Sequence, residues 1–163
     1  MPSMRTAVAA LNLDFVSWRA DWAWGLPLIV LTVVIHVLTL GLINQRGVRV
    51  FSRNAERRHP LLVFVAVMGT TTVCATTLHA FEASIWAASY RILGALPDFK
   101  SAMLYSINAI TSYGHENLLL QSDWQLLGAI EALNGWLLFG LTTAFLYAMV
   151  QNVWSLGKSG AEH

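Results

Sequence analysis

Three stretches of the chain are long and almost free of charge. Trp22 to Ile43 carries no charged residue over 22 positions, and Pro60 to Phe81 repeats this over another 22. Trp124 to Trp154 is interrupted only by Glu131. Each exceeds or matches the ~20 residues that a helix needs to cross a bilayer. Aromatic residues lie near their ends: Trp22 and Trp24, Trp86 and Tyr90, Trp124 and Trp154. This is the pattern of an interfacial belt, so three membrane-spanning helices are expected. A fourth apolar-rich run, Phe99 to Ile110, has only 12 residues. At ~1.5 Å per residue it reaches about 18 Å, short of a ~30 Å hydrocarbon core. Asp98 precedes it as a candidate N-cap, and Pro97 discourages helix before that. The polar stretch Thr111-Ser112-Tyr113-Gly114-His115-Glu116-Asn117 follows. A short helix that enters the membrane and ends in irregular chain is tolerated only where it is buried in protein or lines water. Upstream, Val8, Leu11, Phe15, Trp18 and Trp22 recur at intervals of 3, 4, 3 and 4. Such a stripe fits either an amphipathic helix on the outer surface or an outward continuation of the first span.

Composition agrees with this pattern. Of 163 residues, 56% are hydrophobic and 12% charged, against a usual charged share of about 25%. A soluble domain of this size leaves roughly 30–40% of its surface exposed and could not hide so much apolar area. A net charge of +1 offers no broad basic face for nucleic acid. The single cysteine, Cys74, excludes an intramolecular disulfide. Between the first two spans, Asn44 to His59 holds Arg46, Arg49, Arg53, Arg57 and Arg58 against Glu56. A short basic loop belongs on the cytoplasmic side. That places the N-terminus and residues 98–123 outside and the C-terminus, with Lys158, inside.

Ionisable groups inside spans are costly and must face protein or water. Here they are His36, His79 and Glu131, with Glu82 near an outer end. Measured from the ends of the uncharged runs, His36 lies about 10 Å from the inner side and His79 about 28 Å. On that measure the two histidines cannot share a haem, and His36 is a packing residue bonded to a neighbouring helix. His79 and Glu82 share a helical face, but no third ligand stands at matched depth. No metal or cofactor is therefore expected. Glu131 is expected to pair with His79, with groups of the short helix or with the backbone of the polar stretch after it, bracing that stretch from behind. The threonines at 70–72, 76, 77, 142 and 143 and the glycines at 69, 128, 135 and 140 read as close-packing positions. No phosphate loop, nucleophile triad or nucleotide signature appears, and no enzymatic activity is expected.

From "DFKSAMLYSINAI" through "TSYGHE" to "DWQLLGAIEALNGWLLFGLTTAFLYAMVQ", the chain resembles the pore module of the potassium-channel superfamily, in its small bacterial form. The resemblance implies an all-α integral membrane protein: a segment 1–21, an extra helix 22–43, a pore module 60–154 and a tail 155–163. Within the module it implies an outer helix 60–88, a pore helix 98–110, a filter 110–116 and an inner helix 124–154. It implies Ile110, Thr111, Ser112, Tyr113 and Gly114 as the ion pathway, His115 and Glu116 at the outer mouth, and Gly135 near the family's hinge, with His79 and Glu131 as support. One pore loop cannot encircle an ion, so a homotetramer in a lipid bilayer, in a bacterial inner membrane, is implied, passing a monovalent cation, K+ or Na+. The family's Thr-Val-Gly-Tyr-Gly-Asp here reads Ile-Thr-Ser-Tyr-Gly-His over residues 110–115. Ile110 lacks the hydroxyl, and Ser112 replaces a glycine where left-handed backbone costs roughly 1–2 kcal/mol. Selectivity for potassium does not follow. A ring of His115 would titrate near neutrality. A non-conducting channel-like scaffold is the alternative.

Overall fold

The computed structural model describes the backbone of residues 4–54, 60–114 and 118–159, and the side chains of 18–53, 61–114 and 118–152. Among the described residues the regular structure is entirely helical: α1 Met4–Asn54, α2 Pro60–Ile92, α3 Phe99–Ile110, a 3-10 turn Ser122–Trp124, and α4 Gln125–Ser159. Three helices are long and apolar enough to cross a membrane, within Trp18–Arg53, Leu61–Ile92 and Ser122–Asn152. The chain is an integral membrane protein by this measure. Leu61, Leu62, Val65 and Val73 stay exposed along α2, as a lipid-facing surface requires.

The first helix departs most from expectation. It does not stop at Ile43 but continues to Asn54. Charge ends a membrane span; it does not end a helix. No proline or turn residue pair interrupts 44–54, and arginine is a good helix former. Arg46, Arg49 and Arg53 recur at helical spacing, while Phe51 is buried on another face. The connection to α2 shrinks to 55–59, which lies outside the described residues. At its other end α1 is continuous from Met4, so residues 4–21 extend the first helix rather than forming a separate one. Likewise α2 runs to Ile92 instead of ending at 88.

By internal packing the chain divides into two units, Met1–Thr32 with Glu82–Trp136, and Val33–Phe81 with Leu137–His163. The first is centred on Trp86, Tyr90, Ala102, Tyr105, Leu127 and Ile130. Trp86 and Tyr90 are fully buried, so they are core residues and not the interfacial belt their positions suggest. They face α3, with the Tyr90 and Tyr105 rings edge to face at 5.3 Å. The second unit packs Phe51 of α1 with Val63 and Val67 of α2 and Met149 of α4.

Both ends of α3 follow from local chemistry. Asp98 has extended backbone and its carboxylate accepts the Ser101 backbone N–H at 2.9 Å and the Ser101 hydroxyl at 2.7 Å. That is an N-cap. Before it, α2 closes with Gly94 at φ 69°, the Ala95 N–H on the Tyr90 carbonyl and the Gly94 N–H on that of Arg91. This is a Schellman motif with glycine at the left-handed position.

The Ser101 backbone N–H, and then its hydroxyl, hold the Asp98 carboxyl below the usual carboxylate range. A depressed folded pKa stabilises above the unfolded value and is lost as pH falls through the folded one. Thermal unfolding between about pH 5 and about pH 3 should therefore lose more in wild type than in Asp98→Asn, which keeps a neutral cap. Equal losses in the two proteins would show that the cap does not contribute.

Candidate functional site

In the first unit α3 runs beside the first turns of α4 and the last turns of α2. Contacts climb in step along the two helices α3 and α4: Tyr105 over Gly128, Ser106 on Glu131, Ile110 on Gly135. Gly135 stands ten residues inside α4 (135 − 125), about 15 Å along its axis. Ala83, whose carbonyl accepts from Ser106 at 2.7 Å, stands nine residues before the end of α2 (92 − 83), about 14 Å along its axis. The short helix therefore packs between the last turns of α2 and the first turns of α4, both within candidate membrane-spanning segments, and brings Ile110 beside Gly135.

Glu131 is the polar centre of this unit. It is fully buried on α4. The Tyr90 hydroxyl of α2 donates to its Oε2 at 2.5 Å, and its Oε1 meets the Ser106 hydroxyl of α3. Ser106 has one hydrogen and two such neighbours, the carboxyl and the Ala83 carbonyl. When Oε1 carries a proton the count closes: Oε1 donates to Ser106, Ser106 to Ala83, Tyr90 to Oε2. Of the partners expected from sequence, Glu131 meets a group of the short helix; its second partner is Tyr90. A further pair joins α4 to α1, where Asn134 Nδ2 donates to Thr32 Oγ1 at 3.0 Å. The sequence pattern assigns no role to Ser106, Thr32 or Asn134, and only an interfacial one to Tyr90. The available signal was spacing: Ala102, Ser106 and Ala109 are small, buried, and 4 and 3 apart on α3.

Gly135 owes its identity to close approach. A Cβ there would collide with the Ile110 carbonyl oxygen and stand 2.8 Å from the Ile110 carbonyl carbon and Cα. These are backbone atoms and cannot swing aside. The α4 helix runs unbroken through this position.

The end of α3 is a second Schellman motif. The Tyr113 N–H bonds the Asn108 carbonyl at 3.0 Å, the Ser112 N–H that of Ala109 at 3.0 Å, and Ser112 has φ 54°. Ile110 is the last helical residue and Thr111 keeps right-handed helical backbone. Thr111's hydroxyl returns to the Ile107 carbonyl at 2.7 Å. The resemblance implies stacked carbonyls over 110–114; residues 110–112 instead close a helix, and the chain leaves it at Tyr113 and Gly114. The Ser112 hydroxyl accepts the Trp136 indole N–H at 2.9 Å. Tyr113 is 85% exposed. His115 and Glu116 lie outside the described residues.

The second unit holds His36 and His79. Their ring centroids are 5.1 Å apart, tilted by 48°, and each Nε2 lies 3.0 Å from the Thr142 hydroxyl of α4. The 18 Å depth difference expected from the sequence does not exist. It came from counting His36 from Ile43. Counted from the true end of α1, His36 is 18 residues in (54 − 36) and His79 is 19 from Pro60 (79 − 60), about 27 and 28 Å. His36 does bond a neighbouring helix. Rings this close, with both Nε2 atoms on one hydroxyl, leave no room for a haem plane between them. Of the remaining threonines, Thr72, Thr76, Thr77 and Thr143 turn their hydroxyls to carbonyls four residues back on their own helices.

Comparison with protein-family models, with curated proteins and with solved structures finds no match.

Removing the Glu131 carboxyl leaves two buried hydroxyls and a cavity, so Glu131→Ala should lose roughly 2–5 kcal/mol. Glu131→Gln offers one donor and one acceptor in the same places and should lose much less. Chemical denaturation in mild detergent reads both, and equal losses would remove the bridging role. Gly135→Ala should lose roughly 1–3 kcal/mol through the forced separation of α3 from α4.

Proposed function

We propose that this chain forms a homotetrameric pore-loop channel in a lipid bilayer, passing K+ or Na+ without a four-site potassium filter. The observation that carries this reading is the descent of α3. A 12-residue helix, too short to cross, sits against spanning segments of α2 and α4 and delivers Ser112-Tyr113-Gly114 about 15 Å along α4. Irregular backbone at that depth belongs where water or protein meets it. A single copy supplies one such loop, and rotational closure about an axis beside it completes a path. Arg46, Arg49 and Arg53 on the inner end of α1 support an N-terminus outside and a C-terminus in the cytoplasm.

Altered selectivity follows from the cap. Potassium filters replace the ion's water shell with stacked carbonyls. Here the turns at 110–112 are tied into α3, which leaves Tyr113 and Gly114 to approach the ion. The same observation favours the second reading, a non-conducting scaffold that retains the pore-loop arrangement for assembly. The resemblance in "TSYGHE" and the exposure of Tyr113 favour conduction.

Proteoliposomes carrying the purified chain should pass both K+ and Na+ down a gradient, with a preference well below tenfold. Ser112→Pro or Tyr113→Ala should abolish that flux while the tetramer stays intact in size-exclusion chromatography with light scattering. Intact tetramers without wild-type flux would favour the scaffold; monomers would overturn both readings.

A further inference from the structure

The His36–His79 pair is not used by the pore reading. Ionisable side chains within a span are expensive and mark function by default. Two of them, from different helices, turn the same ring atom toward one point. His36 is fully buried there and His79 partly so. A single threonine hydroxyl holds one hydrogen and two lone pairs, so at least one of the two rings must donate its Nε2–H to it. Packing alone would be served by one imidazole on Thr142.

We propose that His36 and His79 bind a borderline divalent transition-metal ion, with Zn2+ as the type case. A ligand nitrogen of each lies within 4.8 Å of the other. Zinc–nitrogen bonds of about 2.0–2.1 Å place two imidazole nitrogens on a tetrahedral ion roughly 3.4 Å apart. A movement of about an ångström, shared between two side chains, reaches that spacing. Imidazole is the donor that Zn2+, Co2+, Ni2+ and Cu2+ share, and the Irving–Williams order sets their relative affinities. Binding through Nε2 takes both rings off the Thr142 hydroxyl, since a nitrogen that ligates a metal keeps neither lone pair nor hydrogen for it. The site is independent of whether the chain conducts.

The test uses the full chain in detergent, with any affinity tag removed, stripped by EDTA and titrated with Co2+. One equivalent should bind with the visible d–d bands of a tetrahedral nitrogen–oxygen site, and Zn2+ should displace it. His36→Gln and His79→Gln should each weaken binding by about 100-fold, the upper end of what losing an outer-shell partner costs. A variant with His59, His115 and His163 changed to Ala should bind as wild type does. Zinc K-edge absorption of the loaded wild type should show two imidazole ligands, which keeps the test independent of whether the variants fold. No stoichiometric binding, fewer than two imidazoles, or binding unchanged in folded His36→Gln and His79→Gln would overturn the proposal.

Discussion

A carboxyl group placed inside a membrane span must be solvated by the protein that carries it, and in this chain the rest of the first unit is arranged around that requirement. Water is absent from the hydrocarbon region, and an unpartnered polar group there costs several kcal/mol. Glu131 has its two oxygens met by hydroxyls from two other helices, Tyr90 of α2 and Ser106 of α3. Both partners are packed or bonded in turn. The Tyr90 ring has Trp86 at 6.4 Å on its own helix and the Tyr105 ring edge to face at 5.3 Å. Ser106 is tied in turn to the backbone of α2 through Ala83. A three-helix junction results whose polar contents are closed among themselves, and the position of α3 follows from it.

The depth of α3 in turn dictates the Gly135 contact. Once Ser106 is fixed on Glu131, the next turn of α3 lies one turn along α4, and Ile110 meets residue 135. At that point two backbones touch. No side chain fits between them, so glycine is required by the register and not by any bend in α4. The reading of Gly135 as a hinge and its role as a contact make different demands. A hinge asks for freedom in φ and ψ, whereas a contact asks only for the absence of Cβ. The structure accounts for the second.

Much of this arrangement was legible in the sequence, and the failures share one cause. The three long runs, the 12-residue helix and its Asp98 cap all follow from run length and cap chemistry. What run length could not give was where helices end, because charge was used as the marker. Arginines stop a segment from lying in hydrocarbon but leave its helix intact, so α1 outran its apolar stretch by eleven residues, Ile43 to Asn54. Tyr90 and Trp86 were similarly placed by their distance from a run's end. Their burial depends on α3 folding back over them, a tertiary fact that a local pattern does not carry.

The two helix ends around α3 show how far local rules reach. Gly94 and Ser112 occupy the same left-handed position of the same motif. At Gly94 the conformation costs little, since glycine has no Cβ to clash. At Ser112 it costs roughly 1–2 kcal/mol, and the indole N–H of Trp136 on the serine hydroxyl offsets part of this. The side chain that makes the turn unfavourable is thus the same one that anchors it to α4. A glycine there would relax the turn and release it from Trp136. Serine instead fixes the direction in which Tyr113 and Gly114 leave the helix. Holding Tyr113 and Gly114 in one orientation requires such an anchor, because Tyr113 is exposed and its surroundings select no exit direction.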